Sequence, residues 1–366
     1  MALRWLEGFE TRQSSTYLGR LYTFAGGGSL TFPTGRRHGI AMRGTNNQMT
    51  TPAMVSMNEN VWIVHFAFQK SSATALSTSE PGVVILDSVG SQFQLRIVDA
   101  ASPDTGGFQV ALKRGSTTLA TSPVYAWGAT PRAWHVFQLK VTIDPTVGTY
   151  ELRHYDYDGT ETTSIAAATN QNTANQGTAG ADRMTFLTGS AGSSLCLLDD
   201  IVVLDGSGGS LDDFFAAPVV VVGELPNAEG TTNDFLPSSG SDNSALVDDA
   251  PTLPDETTEV SSSDVGEVDL YQFSQADLDL LPTSSPPDVH GIMVDVEAEI
   301  KNSGTANLRV EVRDGMDQAT DTKDLDYTGA IKVSRFTVLQ ENPTGTPAPW
   351  TVADLNTVEI GVKYDS

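Results

Sequence analysis

Short stretches that alternate apolar with polar residues, or that are apolar throughout, recur along the chain and predict strands. Val61-Trp62-Ile63-Val64-His65-Phe66-Ala67-Phe68 is β-branched and aromatic on both faces, as in a strand covered on both sides. Phe93 to Asp99 and Phe108 to Lys113 alternate with the period of a half-buried strand. Val136 to Ile143 runs into Asp144-Pro145-Thr146-Val147-Gly148, and Thr149 to Arg153 follows, which predicts a hairpin closed by a Pro- and Gly-containing loop. Met184 to Leu187 and Leu195 to Leu204 complete the first set. No segment carries a convincing amphipathic-helix pattern. Ser164 to Asp182, built from Ala, Thr, Asn, Gln and Gly, reads as a long surface loop with some helical character. Short strands separated by turn signals predict an antiparallel sandwich.

The pattern changes near Pro218. From Val219 the chain passes Pro226, Pro237, Pro251 and Pro254 among Ser, Gly, Asp and Thr, the composition of an extended arm or linker laid over a neighbour. Strand character returns at Val268 to Phe273. Gly291 to Ile300 then alternates cleanly, and Leu308 to Arg313 is expected to pair with it across Lys301 to Thr305. Arg335 to Leu339 and Val358 to Lys363 finish a smaller all-β unit. The expected organisation is a sandwich over residues 1–217, a Pro-, Ser- and Asp-rich arm over 218–262, and an acidic β domain over 263–366.

Charge narrows the function classes. The 366 residues carry 21 basic and 46 acidic groups, a net charge of -25. So acidic a surface repels phosphate backbones, which argues against a nucleic-acid binder. The excess is uneven: residues 1–217 hold 14 basic and 18 acidic groups, and residues 218–366 hold 7 and 28. Such a split suits a base that docks on something and an acidic half that faces solvent. The first residues, MALRWLEGFETRQ, lack an apolar h-region, and Phe214 to Gly223 is too short to span a bilayer, so neither classical secretion nor membrane insertion is expected.

Candidate chemistry is sparse. The single cysteine, Cys196, lies in an apolar run and reads as a buried thiol. His38, His65, His135, His154 and His290 form no HExxH or HxH pattern; His65 reads as a hydrogen-bonded sheet residue and His135 as a packed one. No GxSxG elbow occurs. Asp295, Glu297 and Glu299 share a strand face, which is also how a half-exposed strand reads. Gly26-Gly27-Gly28 has no following Lys-Ser/Thr and reads as a turn. Asp199, Asp200 and Asp205 are the candidate oxygen ligands for a Ca²⁺ ion, the one cofactor considered, although adjacent strand residues reach one ion only across a bulge. Trp127, Tyr155 and Tyr157 are the candidate sugar-stacking aromatics.

Two regions resemble known proteins. Trp134 to Val141, Gly148 to Arg153 and Leu198-Asp199-Asp200-Ile201-Val202-Val203-Leu204-Asp205 resemble the last strands of concanavalin A-like (laminin-G-like) jelly rolls, and Gly35 to Met42 resembles an early strand of the same domains. Pro226, Phe235 to Gly240, Asn243, Val247-Asp248-Asp249, Pro343-Thr344-Gly345, Trp350-Thr351 and Asp354-Leu355-Asn356 resemble virion proteins of tailed bacteriophages. Phe235 stands where Trp is common in those proteins. The resemblance implies a non-enzymatic structural protein on the virion exterior, in tail, baseplate, fibre or head surface. It would be made in the host cytoplasm and assembled with other virion proteins as a homo-oligomer, a trimer being the expected form. Binding of host-surface glycan is the alternative, and polysaccharide depolymerisation a third.

Overall fold

The computed structural model describes residues 3–11, 13–26, 29–36, 40–44, 47–54, 59–70, 76, 80–100, 107–127, 133–156, 159–162, 164–175, 179–189, 196–206, 211–249, 257–273, 289–301, 306–314, 317–325, 332–339, 341–342 and 348–365. Contacts divide the chain into two compact units, residues 1–9 with 13–221 and residues 10–12 with 222–366.

The first unit opens with β1 (Leu3–Glu7), the helix α1 (Ser15–Leu21), β2 (Thr23–Ala25), β3 (Leu30–Thr31), β4 (Met42–Gly44) and β5 (Gln48–Thr50). It continues through β6 (Val61–Lys70), β7 (Gly82–Leu86), β8 (Ser91–Asp99), β9 (Phe108–Arg114) and β10 (Thr117–Thr121). β11 (His135–Thr142), β12 (Gly148–Tyr155), β13 (Ile165–Gln171), β14 (Arg183–Leu187) and β15 (Cys196–Asp205) complete it. An eight-stranded sheet runs β13-β12-β11-β6-β15-β4-β3 with β1 alongside β15, and a seven-stranded sheet runs β10-β9-β8-β7-β14-β5-β2. The two pack face to face through aromatic contacts such as Phe93 with Tyr150 (6.2 Å between ring centres) and Phe108 with Phe137 (6.1 Å). This is an all-β, jelly-roll-type sandwich of two antiparallel sheets.

β6 owes its unbroken apolar run to cover on both sides. Phe66 faces the core beside Phe137, while His65 faces outward under Phe215, at 6.0 Å. Phe215 is held there by reciprocal bonds with Gln138: its N–H donates to Oε1 (2.9 Å) and its carbonyl accepts from Nε2 (3.2 Å). His65 Nε2 accepts from the Val219 N–H (3.2 Å), so Nδ1 carries the proton and donates to the Asp200 carbonyl (2.9 Å). Cys196 is fully buried, and burial pushes its thiol up to about 12.

Two expectations for this unit differ from the structure. Part of the predicted loop 164–182 is β13, which pairs with β12 at the sheet edge through Gly148–Gln171, Tyr150–Ala168 and Leu152–Ile165. An edge strand needs only one apolar face, and its Ala- and Thr-rich sequence hid that pattern. The short helix α1, capped by the Ser14 hydroxyl accepting from the Tyr17 N–H, buries only Leu18 and Leu21, too few positions to show a helical period.

The second unit contains β16 (Pro226–Asn233), β17 (Leu236–Pro237), β18 (Val260–Ser261), β19 (Val268–Phe273), β20 (Ile292–Ala298) and β21 (Ala306–Asp314). β22 (Asp317–Leu325), β23 (Lys332–Leu339), β24 (Glu341–Asn342), β25 (Ala348–Pro349), α2 (Val352–Leu355) and β26 (Glu359–Tyr364) follow. A five-stranded sheet runs β16-β19-β26-β21-β22, and β20 pairs with β23. Leu308, Val310, Val312, Trp350, Val358 and Ile360 form a core against which Ile292, Val294 and Val296 pack, giving a smaller β-sandwich.

The predicted hairpin between 291–300 and 308–313 is therefore corrected. Both stretches alternate, but their apolar faces meet across the core from separate sheets, and β21 pairs with β22 and β26 instead. The stretch expected as an arm is also drawn in: β16 is an edge strand on β19. Polar bonds hold this stretch beside the buried Phe235 and Leu246. Asn243 Nδ2 donates to the Phe235 carbonyl (2.8 Å) and to Asp269 Oδ2 (2.7 Å), and the Thr231 hydroxyl donates to Glu359 Oε2 (2.6 Å). Among the described residues, no helix is long and apolar enough to cross a membrane.

Candidate functional site

A cleft of about 570 Å³ crosses the outer face of the seven-stranded sheet. Its floor follows from strand register. Lys113 pairs with Gln94, Gln94 with Val84, and Val84 with Thr185, so alternate residues of four strands line up in one row. The next row carries Arg96, Gly82, Leu187 and Gln48. Gly82 sits at φ +148°, and a Cβ there would meet the Leu95 carbonyl oxygen at 2.0 Å, so only glycine fits against the neighbouring strand.

The polar groups of the cleft are organised around Glu80. Lys113 Nζ donates to Glu80 Oε2 (2.7 Å), and Arg96 Nη1 donates to the Glu80 carbonyl (3.1 Å). Arg96 Nε donates to Gln94 Oε1 (2.8 Å), whose amide donates to Ser91 Oγ (2.9 Å). Burial lowers the Arg96 pKa, partly countered by the Glu80 charge. Glu80 is the one carboxylate among the described residues that line the cleft. Glycoside hydrolysis in its usual form needs two. Amide, hydroxyl, guanidinium and ammonium groups on a broad floor are instead suited to accepting and donating hydrogen bonds to a polyol.

The aromatics chosen from sequence lie elsewhere. Trp127 is 5% exposed and Tyr155 3% exposed, so neither offers a ring face for a sugar, which corrects that expectation. Trp127 packs on Phe108 (4.3 Å between ring centres) at one end of the interior, and Tyr155 packs with Ala67 and Val136 on the outer face of the other sheet. Each is covered by tertiary packing. Tyr157 lies outside the described residues.

The aspartates chosen for a cation are occupied by protein donors. The register skips between Asp199 and Val202, and Asp200 takes φ +50°, so a bulge does bring the two neighbours to one side. They converge on Arg36: its N–H donates to Asp199 Oδ2 (2.7 Å) and its Nε to Asp200 Oδ2 (2.5 Å). Asp200 Oδ1 accepts from the Val221 N–H (2.8 Å). Burial, then the Asp200 charge, pushes the Asp199 carboxyl above the usual range. Asp205 stands farther along β15, opposite Trp62 rather than Ala67, and accepts from Arg4 Nε. The three carboxylates thus do not surround one ion.

Sequence reasoning missed a third cluster. His135, His154 and Asp156 come together at the interior end of the sandwich, with His135 Nδ1 3.1 Å from His154 Nε2 and 3.5 Å from Asp156 Oδ1. Burial lowers His135 to about 4; burial, then the His135 charge, lowers His154 to about 3. Histidine in an unfolded chain titrates near 6.5, so acid protonates the unfolded state first. Stability from this pair is complete above about pH 6.5 and is lost as the pH falls toward 4 and 3, by up to about 1.4 kcal/mol per pH unit for each ring. Urea midpoints measured from pH 7 to pH 4.5 should fall accordingly; a flat profile would contradict the buried, neutral pair.

No known family's sequence model and no curated protein sequence matches the chain. Solved structures similar to it include the catalytic domain of a glycoside hydrolase family 131 protein from Coprinopsis cinerea, with TM-score 0.39 and 10% identity over 58% of this chain and 96% of that one. Lectin I-B4 from Griffonia simplicifolia in its metal-free form gives TM-score 0.38 and 8% identity over 54% and 98%. A carbohydrate esterase from the Shiga toxin-encoding bacteriophage phi24B gives 0.36 and 12% over 55% and 99%. Likenesses this slight leave function to be argued from the site itself.

Proposed function

We propose that the protein is a non-enzymatic, homo-oligomeric component of a bacteriophage particle's exterior whose jelly roll binds host-surface glycan. The cleft on the seven-stranded sheet carries the glycan part of this reading. Its rows of Gln94, Lys113, Thr185, Gln48 and Arg96 present donors and acceptors at strand spacing, and its single carboxylate is already paired with Lys113. Support for the particle comes from the resemblance of residues 226–356 to tailed-phage virion proteins. The motifs behind that resemblance have structural work in this chain: Asn243 fastens the 3₁₀ turn Ser244–Leu246 region to Asp269, Trp350 is 1% exposed in the second core, and Thr351 and Asp354 form a capping box on α2.

The test is an array of bacterial surface polysaccharides probed with the untagged full chain, with reducing-sugar release and light scattering measured on the same preparation. Saturable binding to a small group of glycans, no release of reducing ends and a discrete oligomer, a trimer by expectation, are the expected results. A blank array would sink the glycan reading, sugar release the non-enzymatic one, and a monomer at every concentration the oligomeric one.

A further inference from the structure

We propose that His135, His154 and Asp156 form a binding site for a divalent transition-metal ion, zinc by the chemistry of its donors. The site follows from the β11–β12 hairpin. Phe137 pairs with His154 and Val136 with Tyr155, so the next step sets His135 opposite Asp156. Asp156 directly follows β12, two residues after His154, so both stand on the face that also carries His135 and Phe137. One ligand atom from each of the three residues lies within 4.8 Å of the others.

The spacing is that of ligands around one ion. Zinc holds imidazole nitrogen and carboxylate oxygen at about 2.0–2.2 Å in a tetrahedron, which sets neighbouring donor atoms roughly 3.2–3.6 Å apart. The observed 3.5 Å from His135 Nδ1 to Asp156 Oδ1 falls at such an edge, and the 3.1 Å between the two imidazole nitrogens is slightly short of one.

The surroundings prepare the nitrogens for ligation. The Thr162 hydroxyl donates to the His154 carbonyl (3.3 Å), so its oxygen accepts from His154 Nδ1–H, and the lone pair of His154 is left on Nε2, the atom that faces His135. Fixing a ligand's tautomer through its other ring nitrogen is how metal-binding histidines are oriented. Both imidazoles are buried, at 0% and 1% exposure, against Phe108, Tyr125 and Trp127, whereas the Asp156 side chain is 40% exposed. The ion can therefore enter past Asp156, with water completing the tetrahedron on that side. Two imidazoles and one carboxylate favour zinc or a similar transition metal over Ca²⁺, which takes oxygen ligands.

The test uses the untagged full chain, treated with chelator, dialysed and titrated with Zn²⁺ alone by calorimetry. Uptake of one zinc per chain is expected, with a rise in the melting temperature. Co²⁺ in place of zinc should give the intense visible bands of a tetrahedral site. Asp156→Asn should weaken zinc roughly ten-fold or more, and Thr162→Val, which removes only the group that positions His154, should also weaken it by roughly ten-fold. The Asp156 side chain is 40% exposed and Thr162 is only half-buried at the sheet edge, so both variants should melt cooperatively as the parent does, whereas His154→Gln serves only if it folds. Absence of zinc uptake would overturn the proposal. So would uptake unchanged in both variants, which would place the ion elsewhere on this acidic chain, or Ca²⁺ binding that displaces zinc.

Discussion

Replacing Phe108 with alanine is expected to lower the unfolding free energy by about 3–5 kcal/mol, the range for removing a fully buried aromatic ring. The ring is 0% exposed and begins β9 of the seven-stranded sheet. It reaches across the sandwich to His135 (4.8 Å between ring centres), His154 (6.0 Å) and Phe137 (6.1 Å) of the other sheet. Trp127 and Tyr125 flank it at 4.3 and 5.3 Å. No small shift of neighbouring side chains fills a phenyl-sized void among rings that are themselves packed from two layers. Phe108→Leu should cost less, because it keeps most of the volume. Urea unfolding of the three proteins measures the series; a loss below about 1 kcal/mol for alanine would show that the aromatic cluster does not join the sheets.

Asp99→Ala is expected to cost about 3–5 kcal/mol for a different reason. Lys70 ends β6 with its side chain 0% exposed, its ammonium 2.9 Å from Asp99 Oδ1 and 4.7 Å above the Trp127 ring. Asp99 also accepts from the Leu76 N–H. Removing the carboxylate leaves a charge in the interior whose remaining contact among the described residues is a ring face, or forces the amine to give up its proton; either is expensive. Taking both charges away should be far milder, since a buried pair replaced by apolar groups is often neutral. Lys70→Met combined with Asp99→Asn, which retains an acceptor for Leu76, should therefore recover most of the loss. A double variant as unstable as Asp99→Ala would show that packing rather than charge is at stake.

The strands were legible where burial imposes a period. β6, β8, β9, β11, β12 and β15 match their predicted runs within a residue or two, and the Asp144–Gly148 turn joins β11 to β12 as the Pro and Gly suggested. What a strand pattern does not carry is its partner. β20 and β21 both alternate and are adjacent in sequence, yet they belong to facing layers. Edge strands were missed for a related reason: β13, rich in Ala and Thr, and β16, rich in polar residues, pair along one edge only and show no clear alternation.

The sites were less legible than the fold. Gln94, Arg96 and Lys113 are the polar positions of correctly predicted strands, but their convergence on Glu80 depends on which strands are neighbours. Trp127 and Tyr155 are aromatic residues whose burial in the folded chain removes them from view, and nothing local in the sequence signals that burial. The His135, His154 and Asp156 cluster did leave a signal. A His-x-Asp pair on one strand face, set against a histidine across a hairpin whose turn was already predicted, is readable once the hairpin register is counted from that turn. A search restricted to contiguous metal motifs passes over it.

The most direct test of the cleft as the glycan-binding surface is the polysaccharide array repeated on a Gln94→Ala, Lys113→Ala double variant beside the parent chain. Both side chains line the cleft, and neither is buried in the core. Loss of binding by roughly ten-fold or more, the effect of removing two polar contacts worth about 1 kcal/mol each, is the predicted result in a protein that unfolds at the parent's temperature. Binding equal to the parent's in a folded double variant would contradict the assignment and move the glycan site off this sheet.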